Sequence, residues 1–276
     1  MTDAHEWPAG DRAPDSHVLD LEYTREHVAR VLLARPDSMN AYSERLLHDL
    51  TPTLRALDAA DEIRAVILTG EGEAFCAGVD LDEMPLSAEQ DLAEYEQGLG
   101  LFQEVVATLR GMETPVVAAV NGYAMGAGCD TALACDFRIA AESATMAETF
   151  VDVGFVPGDG GAYLLPRIVG EAKAKELIMT GKRVSGEDLV EWGLARECVP
   201  DDELQETAEA FAAELASGPP VAIAESKALV NEAFDVDLET AHEHATRAQR
   251  ICSQTEDHEE AVQAFAEDRE PEFEGK

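Results

Sequence analysis

Apolar residues alternate from Val18 to Tyr23, with Leu19, Leu21 and Tyr23 on one face. Thr24-Arg25-Glu26 leads into a second extended run, His27 to Leu33, and the pair predicts a hairpin. From Met39 to Ala60 the period lengthens. Leu46, Leu47, Leu50, Leu54 and Leu57 fall on one helical stripe, interrupted only by Pro52. Ile63 to Thr69 is an unbroken apolar run, the pattern of a buried strand. A second helix is predicted from Gln90 to Arg110, then a strand from Pro115 to Val120 closed by Asn121-Gly122. A short helix over Cys129 to Ala134, strands over Phe137 to Ala140 and Ala144 to Ala147, and a helical region from Tyr163 to Gly170 follow. Strands alternating with helices predict an α/β fold.

Past Gly170 the pattern predicts helices only. One is capped near Ser185 and Asp188 and stopped at Gly193, and another opens at Pro200-Asp201-Asp202 with Leu204, Phe211, Ala212 and Leu215 inward. After the break at Gly218-Pro219-Pro220, two more helices are expected, Val221 to Phe234 and Leu238 to Phe265. The expected organisation is a flexible tail over 1–16, an α/β core over 17–200 and a helical region over 201–276. The last helices carry Ala241, Ala245, Ala248, Ile251, Val262 and Phe265 without an intrachain partner, which suits a face that packs on something else.

Charge narrows the partners. Asp and Glu number 57 against 20 Lys and Arg, a formal charge of −37, which disfavours nucleic acid and anionic membranes. A hydrophobic content of 46% nonetheless separates the chain from acidic disordered tails. The acids are dispersed and lysines are few, a halophilic type of surface that predicts a high-salt cytosol; the alternative is an acidic protein held by a basic partner. Five cysteines without a C-x-x-C pair indicate neither a disulfide framework nor a zinc site, and a cytoplasmic, reducing setting is expected. Neither a signal-peptide run nor an apolar stretch of transmembrane length is visible.

Several loop chemistries fail on inspection. The chain has no G-x-x-x-x-G-K-[ST] phosphate loop, no G-x-G-x-x-G fingerprint and no G-x-S-x-G elbow. His242 and His244 would point to opposite sides of a helix, so no metal site is expected. Two strand-to-loop turns of small residues remain, Phe75-Cys76-Ala77-Gly78-Val79-Asp80 and Asn121-Gly122-Tyr123-Ala124-Met125-Gly126-Ala127-Gly128-Cys129-Asp130. The second would place free helix-start amides where a developing oxyanion could be stabilised; the alternative is two tight turns whose glycines serve only backbone geometry.

Together these loops resemble the crotonase superfamily, the enoyl-CoA hydratase/isomerase family. The resemblance extends through Leu33-Ala34-Arg35-Pro36, Asn40-Ala41, Ile67-Leu68-Thr69-Gly70, Ala134-Cys135-Asp136, Gly154 to Gly161 and Leu165-Pro166-Arg167-Ile168-Val169-Gly170. It implies a crotonase-like spiral of β-β-α turns, a helical C-terminal region that makes homotrimers or hexamers, an acyl-CoA thioester substrate and no tightly bound cofactor. By the same resemblance the backbone N–H groups of Val79 and Ala127 form an oxyanion hole. Met39, Ala41, Ala77, Asp80, Leu81, Gly126 and Phe150 belong to the substrate- and CoA-binding set, although Asp82 stands where some relatives place a lysine.

The acid/base positions depart from the hydratase pattern. The first family glutamate falls on Asp130 and the second on Phe150; Asp159 lies next to the position where some isomerases use an aspartate, with Glu148 and Asp152 as further candidates. A helix-start dipole would lower the pKa of Asp130 and suit it to act as a base. Asp130 and Asp159 are the catalytic candidates, and isomerisation is favoured over hydration because Phe150 removes the second glutamate and hydration needs one group for water and another for the proton. The alternatives are a true hydratase using Asp130 with another carboxylate, and a non-catalytic acyl-CoA binding or assembly subunit.

Overall fold

The N-terminal alternation folds into a hairpin. β1 (Leu19–Arg25) pairs antiparallel with β2 (Val28–Leu33), Leu19 opposite Leu33 and Tyr23 opposite Ala29, around a turn in which His27 takes a positive φ of 61°. The structure, a computed structural model, describes residues 17–82 and 91–276; the expected tail over 1–16 and the helix start at Gln90 lie outside the described residues. Ser43 accepts the N–H of Leu46 and starts α1 (Glu44–Asp58), whose leucine stripe is buried and whose Pro52 is exposed.

From here the chain winds in β-β-α turns. The first is β3 (Ala65–Gly70), β4 (Ala74–Cys76) and α2 (Leu92–Gly111). The second is β5 (Val116–Val120), β6 (Tyr123–Met125) and α3 (Ala127–Ala134). The third is β7 (Phe137–Ala141), β8 (Thr145–Ala147) and α4 (Gly161–Val169). In each turn the first strand joins one sheet and the second joins another, and successive turns pair parallel. β3 and β5 are buried on both faces, which is why they read as unbroken apolar runs rather than alternations.

Two short strands interrupt the region expected to be wholly helical. β9 (Val184–Ser185) closes the four-stranded sheet, order β4-β6-β8-β9, and β10 (Glu197–Val199) closes the six-stranded sheet, order β1-β2-β3-β5-β7-β10. They flank α6 (Asp188–Glu191), which follows α5 (Glu171–Thr180). Such strands carry too few residues for a period and take their form from the neighbours they extend. α7 (Leu204–Ala216), which the sequence pattern groups with the C-terminal helices, buries Leu204, Ala208, Phe211 and Ala212 in the cluster that holds the large sheet. Its Phe211 meets Phe137 edge to face at 4.9 Å.

α8 (Pro220–Glu232), α9 (Leu238–Cys252) and α10 (Glu256–Glu267) lie outside that cluster. The expected single helix from Leu238 to Phe265 is two, because Thr255 ends one run and caps the next by accepting the His258 N–H at 3.1 Å. The arm after α10 folds back on its own helix: the Glu256 N–H donates to Lys276 O at 2.7 Å, and Arg64 donates to Phe273 O at 2.8 Å. Among the described residues no helix is long and apolar enough to cross a membrane.

Candidate active site

The two small-residue loops meet at a cavity of about 940 Å³. After β4, the Tyr42 N–H donates to Gly78 O at 2.7 Å and the Asp80 N–H donates to Tyr42 O at 3.0 Å. In a parallel bridge of this kind the residue between, Val79, turns its own N–H away from the partner strand. After β6, Ala127 supplies the first N–H of α3, one of the donors a helix start leaves free at the positive end of its dipole. Neither N–H has a backbone acceptor among the described residues. Gly78, at φ 98°, lets the loops approach: a Cβ there would lie 2.8 Å from Met125 O and 3.8 Å from the Ala127 nitrogen.

A buried brace connects the two loops. The Tyr42 hydroxyl lies 2.7 Å from Thr131 Oγ1, and the Thr131 hydroxyl donates to Ala127 O at 3.0 Å. Val79, bridged to Tyr42, and Ala127 are therefore linked through two side chains as well as through their loops.

Ala77, Leu81, Gly126 and Phe150 line the cavity beside Val79 and Ala127. Met39, Ala41 and Asp80 are not on that wall but connect to its loops, Met39 from an exposed position. Met39 O accepts the Ala77 N–H at 3.0 Å, and Arg35 holds the Asp80 carboxylate at 2.9 Å while also donating to Ala41 O. The rest of the wall is largely apolar, with Leu99, Leu101, Phe102, Val153, Phe155 and Val156.

The carboxyl groups divide in a way the chain pattern does not reveal. Asp159, 7% exposed, comes from the turn before α4 and lies on the cavity wall. Asp130, 0% exposed, comes from the first turn of α3 and lies off the wall, as does Glu148 at 1%. Asp152 reaches the wall from an exposed position facing Arg183. Asp130 and Glu148 converge on Gly161: a Cβ there would fall 2.1 Å from Asp130 Oδ1 and 2.7 Å from Glu148 Oε1. Phe150, two residues beyond Glu148, faces Gly126 instead, where a Cβ would lie 3.8 Å from its ring.

Burial sets the acidity of all three groups. It pushes Asp130 well above the usual carboxylate range, the charge of Glu148 adds to this, and the nearby amides of Gly161 and Gly160 offset only part. Glu148 is pushed up to about 7, chiefly by burial. Asp159 is also pushed up to about 7, by burial first and by Asp130 second. The dipole-lowered pKa expected for Asp130 is therefore reversed, because loss of water outweighs the helix start. Glu148, the group sequence reasoning left among its secondary candidates, carries only a faint signal: it directly follows the buried pair Met146-Ala147. Among the described residues no group of three or more His, Cys, Asp or Glu is arranged to hold a metal ion.

This geometry has counterparts among known proteins. The family model for enoyl-CoA hydratase/isomerase matches residues 23–276. A short-chain-enoyl-CoA hydratase of Clostridium acetobutylicum is 37% identical over 243 residues, covering 88% of this chain and 92% of its own. The 1,2-epoxyphenylacetyl-CoA isomerase of Escherichia coli is 34% identical over 259 residues, covering 93% and 98%. The crystal structure of an enoyl-CoA hydratase from Bacillus anthracis superposes with a TM-score of 0.89 at 36% identity, covering 94% of this chain and 100% of its own. The crotonase-like spiral, the paired loops and these relatives agree, and the chain belongs to the enoyl-CoA hydratase/isomerase family, as an enzyme of the crotonase superfamily.

Proposed function

We propose that this enzyme moves a double bond along an enoyl-CoA thioester. The thioester carbonyl accepts from the Val79 and Ala127 N–H groups, which stabilise the negative charge that builds on that oxygen as a proton leaves the neighbouring carbon. Asp159 takes the proton from C2 and returns it to C4. The observation that carries this reading is the cavity wall: Asp159 is its buried carboxyl, poised near neutrality, and the side chain at position 150 is a phenyl ring. A group with a pKa near the working pH can both accept and give up a proton.

The test supplies a 3-enoyl-CoA and a 2-enoyl-CoA separately in deuterated water enriched in oxygen-18. Conversion of the 3-enoyl ester with deuterium uptake and little oxygen-18 is the expected result. Rapid oxygen-18 incorporation into a 3-hydroxyacyl-CoA overturns it in favour of hydration. One observation favours that second reading: Asp130 and Glu148 stand behind Asp159 and could supply a further proton.

Assembly and setting complete the proposal. Phe265 is 90% exposed, and Val230, Phe234, Leu238 and Val262 are exposed with it, a surface suited to a homotrimer or hexamer. Sedimentation in high KCl should give a trimer or a multiple of it, and a clean monomer removes this part. The −37 charge fits a cytoplasm rich in salt.

A further inference from the structure

The proton transfer just described uses neither Asp130 nor Glu148, yet both are costly to bury. All four of their carboxyl oxygens are sealed from solvent without a well-formed hydrogen bond among the described residues, and the Gly160 and Gly161 amides and the Cys129 thiol beside them compensate only in part. They arrive from different elements, the start of α3 and the end of β8, and meet at Gly161, two residues beyond Asp159. Two ionised carboxylates side by side in apolar surroundings are disfavoured. One proton between them removes a charge and gives each a partner.

The surroundings offer little else. Burial and Glu148 suppress ionisation of the Cys129 thiol, and the Tyr42 hydroxyl is engaged with Thr131. From α2, Leu99 and Val106 face the Gly158–Gly160 turn, and the Gln103 amide donates to Gly158 O at 3.0 Å. The charges that act on Asp130, Glu148 and Asp159 are one another's.

We propose that Asp130 and Glu148 act as one positioning unit beneath the cavity, sharing a single proton and thereby setting how firmly Asp159 holds the proton it moves. In the proton-sharing state the pair holds one proton and one negative charge. The functional half of this inference rests on Asp159 being the proton carrier; the electrostatic half does not.

Difference infrared titration of protein labelled with carbon-13 at the aspartate carboxyls reads both. The bands lost in Asp159→Asn and in Asp130→Asn assign the two groups. In the parent protein the Asp159 band changes near pH 7 while Asp130 stays protonated. In the Asp130→Asn/Glu148→Gln double variant the pair holds no charge, and the Asp159 midpoint falls by about one pH unit, a tenfold change in proton affinity. In Glu148→Gln alone, Asp130 gives up its proton at lower pH than in the parent.

An unmoved Asp159 midpoint in the folded double variant overturns the proposal. So does an Asp130 that titrates unchanged beside Gln, and this single variant decides the matter if the double variant does not fold. The acid limb of kcat/KM should follow the Asp159 midpoint. A midpoint that moves while Asp159→Asn turns over normally upholds the action of the pair and removes Asp159 from the reaction.

Discussion

In the C-terminal arm, Asp257 is 3% exposed, and its carboxylate accepts the N–H groups of Glu274 at 2.8 Å and Gly275 at 3.1 Å. In the floor beneath the cavity wall, Asp130 is as deeply buried, yet no well-formed hydrogen bond from the described residues reaches its carboxyl and the nearby Gly160 and Gly161 amides offset only part of the burial. Around the arm, acids also meet cations: Arg269 bonds Glu260 and Glu267, and its bond to Glu260, with the Glu272 N–H second, pulls Glu260 down to about 2. On the floor, the neighbours of a carboxyl are other carboxyls. Depth is the same in both places, and donor supply separates them. A buried acid with donors is a fastener. A buried acid short of donors is a cost the fold carries, and such costs gather where chemistry is done.

This contrast can be broken experimentally, and the largest effect belongs to the floor. Asp159→Asn should lower isomerase kcat by roughly 10²–10⁴-fold, measured by single turnover, with binding of a CoA ester retained; unchanged turnover would remove the floor's functional role. The surface acids should respond next. Lowering KCl from about 1 M to about 0.1 M lengthens the screening distance from about 3 Å to about 10 Å, and structure or assembly should be lost, as followed by circular dichroism and sedimentation. Full stability in dilute buffer would remove the high-salt reading.

Asp257→Ala leaves the Glu274 and Gly275 N–H groups without their acceptor and should cost about 3 kcal/mol in a denaturant titration made in high KCl. Residues 270–276 should then exchange amide hydrogens faster. A smaller effect is a slope. Glu148 and Asp159 titrate higher in the folded protein than in the open chain, so their contribution is complete below about pH 4 and lost as pH rises through about 7. Glu148→Gln should flatten that slope over the same window; a steeper slope would contradict the sign. Arg269→Met should be the mildest, leaving the thermal midpoint close to where it was, since Glu267 is exposed, Glu260 only half-buried, and both are screened by salt.

Much of this was legible in the chain before any coordinates. The hairpin, the buried β3 and β5, the leucine stripe of α1 and the two small-residue loops all announce themselves by period or by composition. β9 and β10 do not, because two or three residues hold no period and their pairing is decided by β8 and β7. The site was half legible. The two loops can be found from composition, while Val79 and Ala127 within them are assigned by the family resemblance; the turn that brings Glu148 to Gly161 and Phe150 to Gly126 is set by the backbone after β8 and has no sequence signal. The acidity of Asp130 departs from the sequence expectation for a related reason: a helix start is visible in sequence, and the loss of water around it is not.

The brace from Tyr42 through Thr131 to Ala127 has a mechanical consequence. It works like a spacer between two jaws, fixing the gap between the Val79 and Ala127 amides when the core sets, before any thioester arrives. If a thioester carbonyl binds in that gap as proposed, it would meet dipoles already aimed, and the work of aligning them would belong to folding rather than to each catalytic cycle. Substrates that differ only in their acyl tails would then share one activation geometry at the thioester, and selectivity among them would fall to the far end of the cavity.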